Sequence, residues 1–98
     1  MHTQIRSTEI LKLLAQQTDN YLLDELGAPH RDDLKVRTMT VKTADGRDLV
    51  VFGGAEGGKI LDDFLRAGLV YEAVPLDDEY RRIYRLTPDG LKRGKANA

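Results

Sequence analysis

Three patterns of apolar and polar positions succeed one another along this chain. Ile10, Leu11, Leu14, Thr18, Tyr21, Leu22 and Leu26 recur at helical spacing and form one apolar stripe. Ser7-Thr8-Glu9 supplies an N-cap and a first-turn carboxylate ahead of it. Asp19-Asn20 favours caps over helix interiors, so the stripe is one helix or two. Gly27 and Pro29 then stop it. From Val36 to Phe52 the period becomes two, which predicts strands. Ala44-Asp45-Gly46-Arg47 lies between them, and Asp-Gly signals a two-residue hairpin. Gly53-Gly54-Ala55-Glu56-Gly57-Gly58 reads as loop. Ile60, Leu61, Phe64, Leu65 and Leu69 then line the inward face of a helix over Lys59 to Ala67.

Two further strand-like runs flank the acidic Leu76-Asp77-Asp78-Glu79, the second being Arg81-Arg82-Ile83-Tyr84-Arg85-Leu86-Thr87. Pro88-Asp89-Gly90-Leu91 opens a short last helix. The pattern predicts a single α+β domain over residues 1–98, with 1–6 and 94–98 flexible and the Lys92-to-Ala98 tail disordered.

Composition narrows the chemistry. With 41% hydrophobic and 32% charged residues, the chain has the makings of a globular fold rather than a disordered one. It has no cysteine, which excludes disulfides, thiolate metal sites and cysteine nucleophiles. No apolar block at its N-terminus matches a signal peptide or a membrane span, so no membrane partner is expected and the cytoplasm is the expected location. The net charge of −1 hides a polarised chain. Between Ile60 and Glu79 six acidic residues (Asp62, Asp63, Glu72, Asp77, Asp78, Glu79) face Arg66 alone. From Tyr80 onward six basic residues (Arg81, Arg82, Arg85, Lys92, Arg93, Lys95) face Asp89 alone. The plainer meaning of such runs is solvated faces with local ion pairs.

Each candidate site has such a plainer meaning beside its chemistry. Gly53, Gly58 and Lys59 have P-loop spacing after an apolar strand. Ile60, however, occupies the place of the magnesium-binding hydroxyl, and there is no βαβ order, so nucleotide hydrolysis is not expected. Gly57, Gly58 and Lys59 retain the chemistry to hold one phosphate at a helix N-terminus. His30 with Asp32 and Asp33 lacks a fourth ligand, the other histidine being His2, so neither a metal nor any other cofactor is expected. Ser7, the only serine, reads as a cap. The carboxylate pairs are sequence neighbours without the contrasted environments of acid–base catalysis. No enzyme is expected.

Gly68-Leu69-Val70 and Tyr84-Arg85-Leu86-Thr87-Pro88-Asp89-Gly90, in that order around a hairpin, resemble the second half of winged helix-turn-helix domains of small bacterial regulators, over roughly residues 58–95. The resemblance implies a winged-helix-like fold: N-terminal helices, a central β-hairpin, a helix, a wing hairpin and a short C-terminal helix. It leaves the second helix either to the Asn20-to-Leu26 segment, with a hairpin inserted after it, or to a divergent variant. It also implies non-catalytic binding of double-stranded DNA as a transcriptional regulator. Lys59 and Arg66 would lie at the groove, Arg81, Arg82 and Arg85 on the wing, and Lys92, Arg93 and Lys95 on phosphates. A homodimer through residues 7–26 is expected with it. The alternative is a protein-binding module, an inhibitor or adaptor of the kind that small phage or toxin-derived proteins supply. It would use Asp62, Asp63, Asp77, Asp78 and Glu79.

Overall fold

A short helix tied down by an asparagine begins the architecture. The computed structural model describes residues 7–26, 37–73 and 81–96. Helix α1 (Ser7–Gln16) buries Ile10, Leu11 and Leu14, the first half of the predicted stripe. It stops because Asn20 turns its side chain back: Nδ2 donates to the Leu13 carbonyl at 2.8 Å, one of the carbonyls a helix end leaves without an intrahelical partner.

The stripe does not continue as helix. Tyr21–Leu26 is strand β1, hydrogen-bonded on one side to β2 (Arg37–Lys42) and on the other to β5 (Arg81–Leu86). A helix at Asn20-to-Leu26, and with it the second helix of a helix-turn-helix, is therefore replaced by the middle strand of a sheet. The five strands among the described residues run antiparallel in the order β3-β2-β1-β5-β4, with β3 at Asp48–Gly53 and β4 at Val70–Glu72.

The β2–β3 hairpin forms where the alternation predicted it, but its connection is longer than the two residues that Asp-Gly suggested. Gly46 N donates to Thr43 O and Thr43 N to Arg47 O, both at 2.9 Å. Gly46 sits at φ +88°, where glycine carries no steric cost. The register shifts between Val41 and Lys42, giving a bulge at the base of the turn.

Helix α2 (Gly54–Arg66) starts at Gly54, directly after β3. The loop expected over Gly53 to Gly58 is thus the strand end and the first turns of a helix. The reason is close packing. A Cβ on Gly57 would lie 3.3 Å from the Phe52 ring and 3.6 Å from Met39 Sδ, so the glycine lets the helix approach the sheet. Ile60 is half-buried and Leu61 and Phe64 are buried as expected, but Leu65 is exposed, a correction to the predicted inward face. Leu69 N bonds to Phe64 O and Gly68 N to Leu65 O, with Gly68 at φ +72°, so the helix ends in a Schellman motif.

Helix α3 (Pro88–Ala96) begins at a Thr87 cap, whose Oγ1 accepts from Gly90 N at 3.0 Å. It runs to Ala96 with Gly94 buried, so residues 94–96, expected to be flexible, and most of the expected disordered tail are helix. A Cβ on Gly94 would meet Leu11 O at 2.6 Å, so α3 lies directly against α1.

The core gathers Ile10, Leu11 and Leu14 of α1, Leu22, Met39, Val41 and Tyr84 of the sheet, and Leu61 and Phe64 of α2. The sheet residues of that cluster alternate with outward ones, so the helices bury their apolar faces against one face of the sheet. Of the stripe expected at a dimer interface over residues 7–26, Ile10, Leu11, Leu14 and Leu22 are core of this chain, whereas Thr18 is exposed and Tyr21 half-buried.

Candidate nucleic-acid interface

The two motifs that carry the resemblance touch each other. Thr87 Oγ1 donates to Gly68 O at 2.6 Å, and Thr87 N donates to Leu69 O at 3.0 Å. A Cβ on Gly90 would fall 1.9 Å from Leu69 O, so only glycine fits there. Gly68-Leu69 and Thr87-Pro88-Asp89-Gly90 thus form one joint that sets α3 against the end of α2. Their shared appearance in the sequence has a packing cause, independent of any ligand.

The three strand arginines do not form one edge. Arg81 and Arg85 lie on one face of β5 and Arg82 on the other, since successive strand residues alternate. Arg82 Nη1 lies 3.6 Å from Glu72 Oε1, and Arg82 also bonds to the Tyr84 hydroxyl. Burial pushes the Tyr84 phenol up, and the neighbouring charges of Asp24 and Glu72 add to that, while Arg82 opposes them. Arg85 stacks over the Tyr21 ring with Cζ 5.5 Å from its centroid and donates to Asp19 O at 3.2 Å. Arg81 also has a partner within the chain. As an inner strand, β5 is not a free wing: β1 and β4 occupy both its edges.

The helix cations are placed differently. Lys59 and Arg66 on α2, and Lys92, Arg93 and Lys95 on α3, are all exposed and have no side-chain partner among the described residues. Asp62 and Asp63 are exposed on α2 in the same unpaired state. They stand at i+3 and i+4 from Lys59, so α2 presents mixed charge and α3 presents an excess of positive charge. The P-loop spacing has no P-loop geometry, because Gly58 is a buried residue inside α2 and the sheet is antiparallel. A phosphate held by Gly57, Gly58 and Lys59 loses its basis for the same reason: those amides lie a turn inside the helix rather than at its N-terminus.

His2, His30, Asp32, Asp33, Asp77, Asp78 and Glu79 lie outside the described residues. Among the described residues no cluster of three or more His, Asp or Glu gathers at metal-binding distance. No described helix is long and apolar enough to cross a membrane. Sequence reading missed the outer face of the sheet, where Tyr21, Tyr71 and Arg85 come together; period-two alternation over residues 21–26 was the available signal. No family model, curated protein or solved structure matches the chain.

Proposed function

We propose that this chain binds double-stranded DNA without catalysis, as a small transcriptional regulator on a winged-helix-like frame. In this frame α2, the β4–β5 pair and α3 follow in the implied order, and the β2–β3 hairpin stands where a second helix would precede α2. The observation that carries the reading is the set of five exposed cations without carboxylate partners among the described residues, Lys59, Arg66, Lys92, Arg93 and Lys95. Unpaired surface cations release counterions from phosphates at no cost in broken ion pairs. The geometry shifts the weight from strand to helix. Arg82, tied to Glu72, and Arg85, stacked on Tyr21, contribute less than the α3 cations.

The reading is tested by fluorescence anisotropy of a labelled duplex at low salt. Reversing Lys92, Arg93 and Lys95 to Glu should weaken binding at least roughly tenfold and flatten its salt dependence by about three contacts. Binding that is undetectable, or indifferent to salt, refutes it.

One observation favours the protein-binding module: Asp62 and Asp63 stand adjacent and exposed on α2, without a partner among the described residues. Reversing both to Lys separates the readings. Tighter duplex binding with function retained supports the regulator; loss of a captured protein partner supports the adaptor.

A further inference from the structure

The face of the sheet that turns away from the core carries a row of which the duplex reading uses Arg85 alone, and only as a minor contact. Cross-strand register places Tyr71 opposite Arg85, and Tyr21 opposite Lys42, with Arg85 stacked over Tyr21. The row therefore reads aromatic, cation, aromatic, cation across strands β4, β5, β1 and β2. At the usual strand spacing Tyr71 and Tyr21 are roughly 10 Å apart, on strands β4 and β1 with β5 between them. Tyr71 is 48% exposed, and Tyr21, Arg85 and Lys42 are half-buried. The next row along the same face is apolar, with Ile83 beside Leu23.

The charges suit an anion. The Arg85 guanidinium donates to a backbone carbonyl, and no carboxylate among the described residues pairs with it. Lys42 is held by Asp48 at 3.2 Å at the far end of the row. An exposed ring, a cation fixed against a second ring and an apolar flank are the parts from which sheet surfaces bind unpaired bases. The rings stack on bases whatever their sequence, and the cations meet the backbone. A duplex hides its base faces and has no use for such a row.

We infer that this outer sheet face binds single-stranded nucleic acid, with a base stacked on Tyr71 and a phosphate on Arg85. The site stands on a different surface from the α3 cations and does not depend on duplex binding.

The test uses the full chain and a labelled fifteen-nucleotide oligothymidylate at low salt, read by anisotropy. Tyr71→Ala should weaken binding roughly five-fold or more, and Tyr71→Phe, which keeps the ring, should stay within about twofold of the parent. Tyr71→Leu, which keeps apolar bulk but no π face, should behave like Tyr71→Ala. Arg85→Gln should reduce the salt dependence by about one contact. Circular dichroism melts of each variant show that the fold is intact. The triple reversal on α3 should leave the Tyr71 effect unchanged even where it abolishes duplex binding, so the two sites fail separately. The inference is overturned if the oligonucleotide does not bind or if Tyr71→Leu binds like the parent. It is equally overturned if Tyr71→Ala alters only a concentration-dependent mass of the chain, which would make this face a contact between copies.

Discussion

The two faces of the same sheet obey different rules, and neighbouring residues on one strand show it. On β1, Leu22 is fully buried between Val41 and Tyr84, while Leu23, one position along, is half-buried between Thr40 and Ile83. On the inner face apolar volume is fixed by three helices, and glycines appear where the helices come closest. On the outer face rings and cations lie partly in solvent, although Thr40 in its middle is itself buried. Stability is thus concentrated on one face, which leaves the other free to carry exposed chemistry.

The sharpest way to break this contrast is to shorten both leucines. Leu22→Ala should cost about 2–5 kcal/mol, because it removes buried methyl groups and leaves a cavity. Leu23→Ala should cost about 1 kcal/mol, in proportion to the smaller area it buries. For a domain of this size the first change lowers the melting temperature by at least about 8 °C. Equal shifts in thermal melts would show that the outer face is as closely packed as the inner.

Adding volume sharpens the same contrast. Gly90→Ala drives a methyl into Leu69 O, and Gly94→Ala drives one into Leu11 O and the Ala15 methyl; each should cost about 1–3 kcal/mol. Val51→Phe on the outer face, where Val51 is 57% exposed, should change stability by no more than about 0.5 kcal/mol. Chemical denaturation of the three variants measures this directly. A tolerated Gly90→Ala would mean that the joint between α2 and α3 is looser than its geometry implies.

These glycines also explain what could be read from the sequence and what could not. Alternation over β2 and β3, the Gly68 stop and the Thr87-Pro88 start are local signals, and each produced its element. Residues 21–26 fit a period of 3.6 as well as one of two, since Leu22 and Leu26 serve either. What selects the strand is pairing with β2 and β5, and β5 lies far along the chain. Gly53 to Gly58 suggested a loop by propensity, whereas close approach to Phe52 and Met39 makes most of that run helical. The helix cations were legible as charges. Their lack of partners among the described residues was not, whereas the separation of Arg82 from Arg81 and Arg85 follows from alternation along a strand that the sequence already predicts.

The smallest expected effect isolates a single ionisable group on the inner face. Tyr84 is buried beside Asp24 and Glu72, and its phenol is held above the ordinary value of 10.0. The sign follows from which form the fold prefers. The folded chain favours the neutral phenol, so this contribution is fully present below the unfolded value. It is lost as pH rises through the higher folded value, because the unfolded chain gives up its proton first. Tyr84→Phe removes the ionisation together with the hydrogen bond from Arg82, and loss of the bond is a constant offset below pH 10.0. The difference in unfolding free energy between the parent and Tyr84→Phe, followed by urea denaturation from roughly pH 9 to 11, should therefore narrow or change sign with pH. Lysine titration is common to both proteins and cancels in that difference. A difference that stays flat across the range would mean that Tyr84 ionises as easily in the fold as in the open chain, and that the inner face at β5 admits more water than its burial implies.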